Sequence, residues 1–210
     1  MKTQCTIYHL IVDRSGSMND CLDATINGYN EQLQKIRELQ MEFPEQNIRM
    51  GLTIFNDQIY IPAVAADLSK ATNLSRENYV PNGSTSLFDA IGSTTLKLEE
   101  TIGKNTNLPT TFVIVVLTDG YENSSQMFNL HQIRSHILRL EATGNWTFSF
   151  IGATLDAAEV AQQMAFKVQN SYSFHKNAMK SEVWDRLSGS MRNYMDKKRT
   201  GKNLSNFFDE

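Results

Sequence analysis

The chain has 210 residues, 40% apolar and 20% charged, with 20 Lys and Arg against 23 Asp and Glu for a net charge of −3. That length supports one well-buried α/β core and is short for two. The slight acidity excludes bulk electrostatic attraction to nucleic acid, and Cys5 and Cys21, with no C-x-x-C pair and no zinc-finger spacing to His, exclude a disulfide framework and point to reduced thiols in a cytoplasm.

Residues 6–12 are apolar on both faces, as a central parallel strand requires. Tyr8 and His9 interrupt the run, no small-residue cleavage site follows, and the segment ends in Asp13. It therefore reads as a first strand and not a signal peptide. Leu22, Ile26, Tyr29, Leu33 and Ile36 alternate spacings of four and three, which predicts an amphipathic helix to about Met41, with Pro44 beyond its end. Residues 48–55 and 58–64 are two strands joined at Asn56-Asp57, a hairpin turn. The second should run antiparallel at a sheet edge, where Pro62 is tolerated. Residues 66–81 are mostly polar and predict only short helical pieces.

Leu87, Ile91, Leu98 and Ile102 predict a helix ending near Gly103. Residues 111–118 form the most β-like segment. Its apolar run, 112–117, is far too short to span a bilayer. A helix at 128–141 stops at Gly144. A strand at 146–151, a helix at 156–166, a strand at 167–172 and a helix at 177–198 follow. Strands alternating with helices give an α/β fold with one doubly wound sheet and helices on both faces. The domain spans 1–200, and 201–210 form a polar tail.

Two strands each deliver one carboxylate into a turn: Asp13 after the first, Asp119 after residues 111–118. Ser15 and Ser17 follow Asp13 at alternating positions, and Thr85 sits where the second long helix begins. Two carboxylates and three hydroxyls are hard oxygen donors, which suit a magnesium-like cation. Any one of them has an ordinary reading. Ser17 precedes a helix with Asp20 three residues on, and Thr85 precedes the helix containing Asp89, so each fits a helix cap. Their combination is more specific. Ligands sit at the carboxyl ends of strands in doubly wound sheets, where these carboxylates lie. With only two carboxylates to offset a dication, such a site should seek an anionic oxygen from outside.

The remaining candidates carry less. His9 lies within the first strand and reads as a core histidine. His131 and His136 do not share a helix face, and His175 lies near the last strand's end. No Ser or Cys nucleophile is set beside a His, and no phosphate-binding glycine loop occurs. Ser15 stands where many phosphoryl-transfer enzymes carry a second Asp. Lys197-Lys198-Arg199 with Lys202 reads as a solvated helix terminus. Phe207-Phe208 would dock on the domain or on a partner, or fray. The Asn-x-Ser/Thr triplets at Asn73, Asn82, Asn123, Asn145 and Asn203 read as compositional accidents in a chain without a secretion signal.

Asp13-Arg14-Ser15-Gly16-Ser17-Met18, Gly83-Ser84-Thr85-Ser86-Leu87-Phe88-Asp89-Ala90 and Leu117-Thr118-Asp119-Gly120 resemble the three motifs of the von Willebrand factor type A domain. The likeness runs over nearly the whole chain in element order and spacing. It implies a Rossmann-like sheet, mostly parallel with one antiparallel edge strand, and a metal-ion-dependent adhesion site. In that site Ser15, Ser17 and Thr85 would supply hydroxyl ligands, and Asp13 and Asp119 would bind directly or through water. A partner's Asp or Glu would complete a Mg2+ site, or a Mn2+ site in its place. The loops resemble the bacterial intracellular stand-alone branch, including proteins of tellurite-resistance-like operons, more than integrin or collagen-binding domains. The expected protein is a cytoplasmic interaction module and not an enzyme. It would bind neither nucleic acid nor membrane, and could belong to an ATPase or kinase–phosphatase assembly. The alternative is a metal-assisted hydrolase or phosphotransferase using the same cation, for which the motifs provide no general base.

Overall fold

Strand β1, Gln4–Asp13, alternates its side chains between two cores. Tyr8, Leu10 and Val12 enter one, and Cys5, Ile7 and Ile11 enter the other. A strand buried on both faces belongs in the middle of a sheet, and β1 pairs parallel with both β2, Gln46–Phe55, and β4, Thr110–Thr118. The six strands run in the order β3-β2-β1-β4-β5-β6, with β3 spanning Ile59–Asp67, β5 Trp146–Gly152 and β6 Ser171–Ser173. Every pairing is parallel except β2 with β3. In this computed structural model the described residues are 4–102, 108–153, 157–202, 204 and 206–208. The expected helix end at Gly103, the helix start at Asp156, the triplet at Asn203 and the terminal Asp209-Glu210 lie outside them.

Helices α1, Leu22–Glu42, and α5, Arg186–Arg199, cover one face of the sheet. Helices α2, Leu87–Ile102, α3, Leu130–Glu141, and α4, Ala157–Gln163, cover the other. The predicted hairpin is present, and the Asn56 side-chain oxygen accepts the Gln58 N–H at 2.9 Å to close its turn. Pro62 lies on the edge strand β3. Asn129 caps α3 reciprocally with Gln132, so that helix starts two residues later than periodicity alone suggests.

The sequence expectations fail in three places. Residues 68–81 hold turns and no helix. The last strand is shorter than 167–172. Residues Val168–Asn170 form a single 3-10 turn, and β6 pairs over only Phe150–Gly152. The last helix is broken into a 3-10 turn at Lys176–Ala178, a π-helical turn at Lys180–Asp185, and α5.

Lys198 is buried where solvation was expected, and Phe207-Phe208 takes the first of its alternatives by docking on the domain. Lys198 is only 8% exposed, and its ammonium donates to the Cys5 carbonyl, Thr6 Oγ1 and Thr111 Oγ1 at 2.7, 2.7 and 2.8 Å. Burial pushes it down to about 8. Phe207 and Phe208 dock on the domain. Phe207 packs beside Tyr8 and Tyr194, Phe208 lies against Tyr172, and the Phe207 N–H donates to Asn170. No helix among the described residues is long and apolar enough to cross a membrane.

His9 is fully buried. Its Nδ1–H donates to the Val64 carbonyl at 3.0 Å, and Nε2 accepts from Thr53 at 2.8 Å, the pattern of a neutral ring. Burial lowers it to about 4, against 6.5 when unperturbed. A depressed value stabilises the fold above pH 6.5 and loses that contribution as the pH falls through 4, because the unfolded chain takes up the proton first. The stability advantage of the wild type over His9→Gln should therefore shrink by about 3 kcal/mol between pH 7 and pH 4 in urea titrations with chelator. A pH-independent difference would show that the ring is not held neutral.

Candidate metal centre

The strand order reverses direction between β1 and β4, which opens a crevice at their carboxyl ends. Asp13 closes β1, and Asp119 follows the end of β4. Both are buried, at 0% and 7% exposure. Asp13 Oδ2 accepts from the Thr118 hydroxyl at 2.6 Å, and Oδ1 accepts from the Ser15 N–H at 2.6 Å. Burial raises Asp13 to about 6, with these hydrogen bonds opposing the shift and the charge of Asp119 adding to it. A nearby cation would reverse this by favouring the charged form.

The Ser17 hydroxyl donates to Asp119 Oδ1 at 2.6 Å and lies 3.2 Å from the Ser15 hydroxyl. Neither serine hydroxyl caps a helix: the 3-10 turn Gly16–Cys21 starts without a side-chain cap, and Cys21 holds the N-cap position of α1. At the start of α2 the N–H groups of its second and third residues go to other side chains than Thr85, Phe88 donating to Glu122 at 2.9 Å and Asp89 to Ser125 at 3.1 Å. A Cβ on Gly120 would lie 3.3 Å from Thr85 Oγ1 and 3.7 Å from Ser17 Oγ. The hydroxyls of two different loops thus border the same small space beside the Asp119 backbone.

Sequence reasoning placed Asp13, Ser15, Ser17, Thr85 and Asp119 on three loops, and the fold brings those loops to one end of the sheet. It missed the contacts that fix the loops. Asn82 N–H donates to the Arg14 carbonyl at 2.9 Å and Gly16 N–H to the Gly83 carbonyl at 3.1 Å. Gly83 has φ +69°, and a Cβ there would lie 2.2 Å from Asp57 Oδ1, so only glycine suits the turn. The Tyr79 hydroxyl donates to the Asp13 carbonyl at 2.5 Å. The Thr85 N–H donates to the Asn123 side chain at 2.8 Å, and the Asn123 N–H returns to the Thr85 carbonyl at 3.0 Å. Asp89 accepts the N–H groups of Gln126, Met127 and Phe128, each at 2.9 Å. Glu122 accepts those of Ser124 and Ser125 at 2.9 and 2.7 Å. These acids are structural: Asp89 stands within the second motif segment of the sequence, whereas nothing local singled out Glu122.

A lysine was also missed. Lys176, from the turn after β6, places its Nζ 2.5 Å from Asp119 Oδ2, 3.3 Å from Asp20 Oδ2 and 3.0 Å from the Ser17 carbonyl. Burial pushes its ammonium down, and the two carboxylates more than offset this, holding it above the ordinary lysine value.

The residues present fit a small hard cation on two counts. The donors are all oxygen, bordering a space that a single Cβ would fill. An ammonium already stands at the outer oxygen of Asp119. Among the described residues no three His, Cys, Asp or Glu side chains cluster as a metal cage, so hydroxyls must carry part of any coordination.

No protein-family model matches the sequence, and no curated protein matches it. Solved structures do match. The PilB minor pilin of Streptococcus sanguinis superposes with TM-score 0.62 at 13% identity, over 93% of this chain and 62% of the pilin. A von Willebrand factor type A protein from Catenulispora acidiphila gives 0.60 at 14% identity, over 91% and 43%. Proximal thread matrix protein 1 from the mussel byssus, solved with a zinc-occupied metal-ion-dependent adhesion motif, gives 0.53 at 17% identity, over 91% and 46%. The chain thus spans about six-tenths of the pilin's length and less than half of the other two. The fold is that of the von Willebrand factor type A domain.

The two kinds of carboxylate should separate by mutation. Asp89→Ala removes the acceptor of three partly buried backbone N–H groups and should cost about 1–3 kcal/mol in urea unfolding, with or without divalent ions. Asp13→Asn keeps an acceptor for Ser15 and removes a buried charge, so in chelator it should cost less than about 1 kcal/mol. Equal losses would show that Asp13 is a structural acid as well.

Proposed function

We propose that the protein is a metal-ion-dependent protein-interaction module. Asp13, Ser15, Ser17, Thr85 and Asp119 hold Mg2+, or Mn2+ in its place, and an Asp or Glu of a partner protein completes the coordination. The observation that supports this reading is that the Ser17 hydroxyl of the first loop meets the buried Asp119 carboxylate of the third at 2.6 Å, while Thr85 of the second loop borders the same small space at Gly120. Hard oxygen donors with no thiolate or imidazole favour Mg2+ or Mn2+ over softer ions. Two carboxylates leave a strong positive field at the open position, where an anionic side chain replaces water.

The surroundings support a protein surface as the target. Tyr121 and Met127, on the loop that follows Asp119, are 53% and 58% exposed. An exposed aromatic and a methionine are common anchors at protein interfaces. The alternative, a hydrolase or phosphotransferase, requires a general base at the ion. Asp13, Ser15, Ser17, Thr85 and Asp119 are all assigned to the ion, which leaves none of the motif donors for that role. From the resemblance of the three motif loops to a stand-alone bacterial branch, the partner class to search first is an ATPase or kinase–phosphatase assembly.

Calorimetry should show one magnesium-class ion bound, and Asp13→Ala or Asp119→Ala should abolish it. Unchanged binding in both variants would overturn the ligand set, and zinc displacing magnesium would overturn the choice of ion.

A partner recovered from cells with magnesium and lost in chelator should depend on one of its own acids. Changing that acid to its amide should weaken the complex as much as chelation does. The two losses together should add little, since they break the same contact. A complex indifferent to both would place recognition elsewhere on the domain.

A further inference from the structure

From the contacts of Lys176 we infer that this side chain is a built-in cation that occupies the acidic mouth of the centre and must leave before a metal ion can use Asp119. The inference rests on the metal-binding reading above and concerns how that site is regulated. Three observations carry it. Lys176 Nζ lies 2.5 Å from Asp119 Oδ2, the oxygen that Ser17 leaves free, since Ser17 takes Oδ1. The Asp119 side chain has no exposure of its own, whereas the Lys176 side chain is 31% exposed, so the ammonium covers the carboxylate from the solvent side. The remaining contacts of the ammonium also come from the first motif loop: the Ser17 carbonyl at 3.0 Å and Asp20 at 3.3 Å, the latter on a side chain 76% exposed.

The charges show why such a group is present. Asp13 and Asp119 are two buried carboxylates at the same end of the sheet, and their like charges repel. Without a cation the pair is costly, and the Lys176 ammonium offsets that cost from within the chain. A divalent ion addresses the same carboxylate, so the two cations compete. Occupancy by lysine lowers the apparent metal affinity by the fraction of molecules left open. Little must move to open the site. The turn Lys176–Ala178 is anchored by its neighbours, with the His175 N–H donating to Glu182 at 2.6 Å and the Thr25 hydroxyl to Met179 Sδ at 3.5 Å. Release therefore needs rotamer changes along one flexible side chain, which are fast for groups at the surface.

The contact makes the centre self-satisfied at rest. Metal entry frees a lysine at the rim, beside the position a partner acid would take. The loop after β6 thus joins the three motif loops in the recognition surface.

The test is Mn2+ titration of wild type, Lys176→Met, Lys176→Arg and Asp119→Ala, each also melted in chelator. Lys176→Met should bind Mn2+ about tenfold more tightly than wild type, as expected where lysine occupies the site in about nine molecules of ten. It should also have a lower Tm than wild type in chelator, so the sign of the effect reverses between the two conditions. Lys176→Arg, which keeps the charge, should stay near wild type. In the wild-type protein, acetylation of Lys176 by an N-hydroxysuccinimide ester, read by mass spectrometry, should rise when Mn2+ is added. Unchanged or weaker Mn2+ binding by Lys176→Met, while wild type binds and Asp119→Ala does not, would overturn the lock and leave the metal centre standing. Absence of Mn2+ binding in every variant would overturn both.

Discussion

The buried negative charge at the carboxyl end of the sheet is the constraint on which the rest of this site depends. Parallel strands β1 and β4 carry apolar residues almost to their ends, so whatever side chain comes next is drawn out of water with them. β1 ends in Asp13 itself, and β4 ends in Thr118 with Asp119 next. The domain also holds two other inward acids, Asp89 and Glu122, and they differ in kind. Asp89 accepts three backbone N–H groups, and Glu122 accepts those of Ser124, Ser125 and Phe88. Their charge is met by fixed dipoles, and they bolt the loop after β4 to the start of α2. Asp119 has one hydroxyl on one oxygen and an ammonium on the other. An acid served by backbone is structural, whereas an acid facing a mobile cation is available to a ligand.

Much of this was legible in the chain. Continuous apolar runs marked β1 and β4 as central, since only strands covered on both faces lack polar alternation. Asn56-Asp57 and Pro62 marked the antiparallel edge. The Asp-x-Ser-x-Ser and Thr-Asp-Gly segments announced the acidic end of the sheet because each follows a strong strand pattern, and Thr85 because it stands just before a strong helix pattern. Lys176 was illegible because nothing local distinguishes it. It reaches the first loop across 159 positions of sequence to the Ser17 carbonyl, and only the tertiary fold makes them neighbours. The segment 168–185 was misread for a related reason. Its short turns are set by packing, with Trp184 seated against Gly28, where any Cβ would lie 2.0 Å from the indole, and not by a repeating pattern. Lys198 looked like a solvated terminus because sequence shows charge and not the carbonyl and hydroxyls waiting to receive it. Phe207 and Phe208 were ambiguous from composition and are resolved by the aromatic pocket of Tyr8, Tyr172 and Tyr194.

The loops around the acidic end are cross-tied by main chain. Arg14 to Asn82, Gly16 to Gly83, Ser86 to Asn56 and Thr85 to Asn123 each join two segments through at least one backbone group. Such ties set the hydroxyls and carboxylates before any ion arrives, which lowers the ordering cost of binding. They also narrow the ways in which the site can respond. A backbone held at this many points cannot open widely without breaking several hydrogen bonds at once, each contributing about 0.5–1.5 kcal/mol. Side-chain rotation remains available, and Lys176 is the group with both the freedom and the charge to use it. A rigid frame with one movable cation reconciles two demands that otherwise conflict. The acids must be buried enough to bind an ion strongly, and they must not destabilise the domain when no ion is bound.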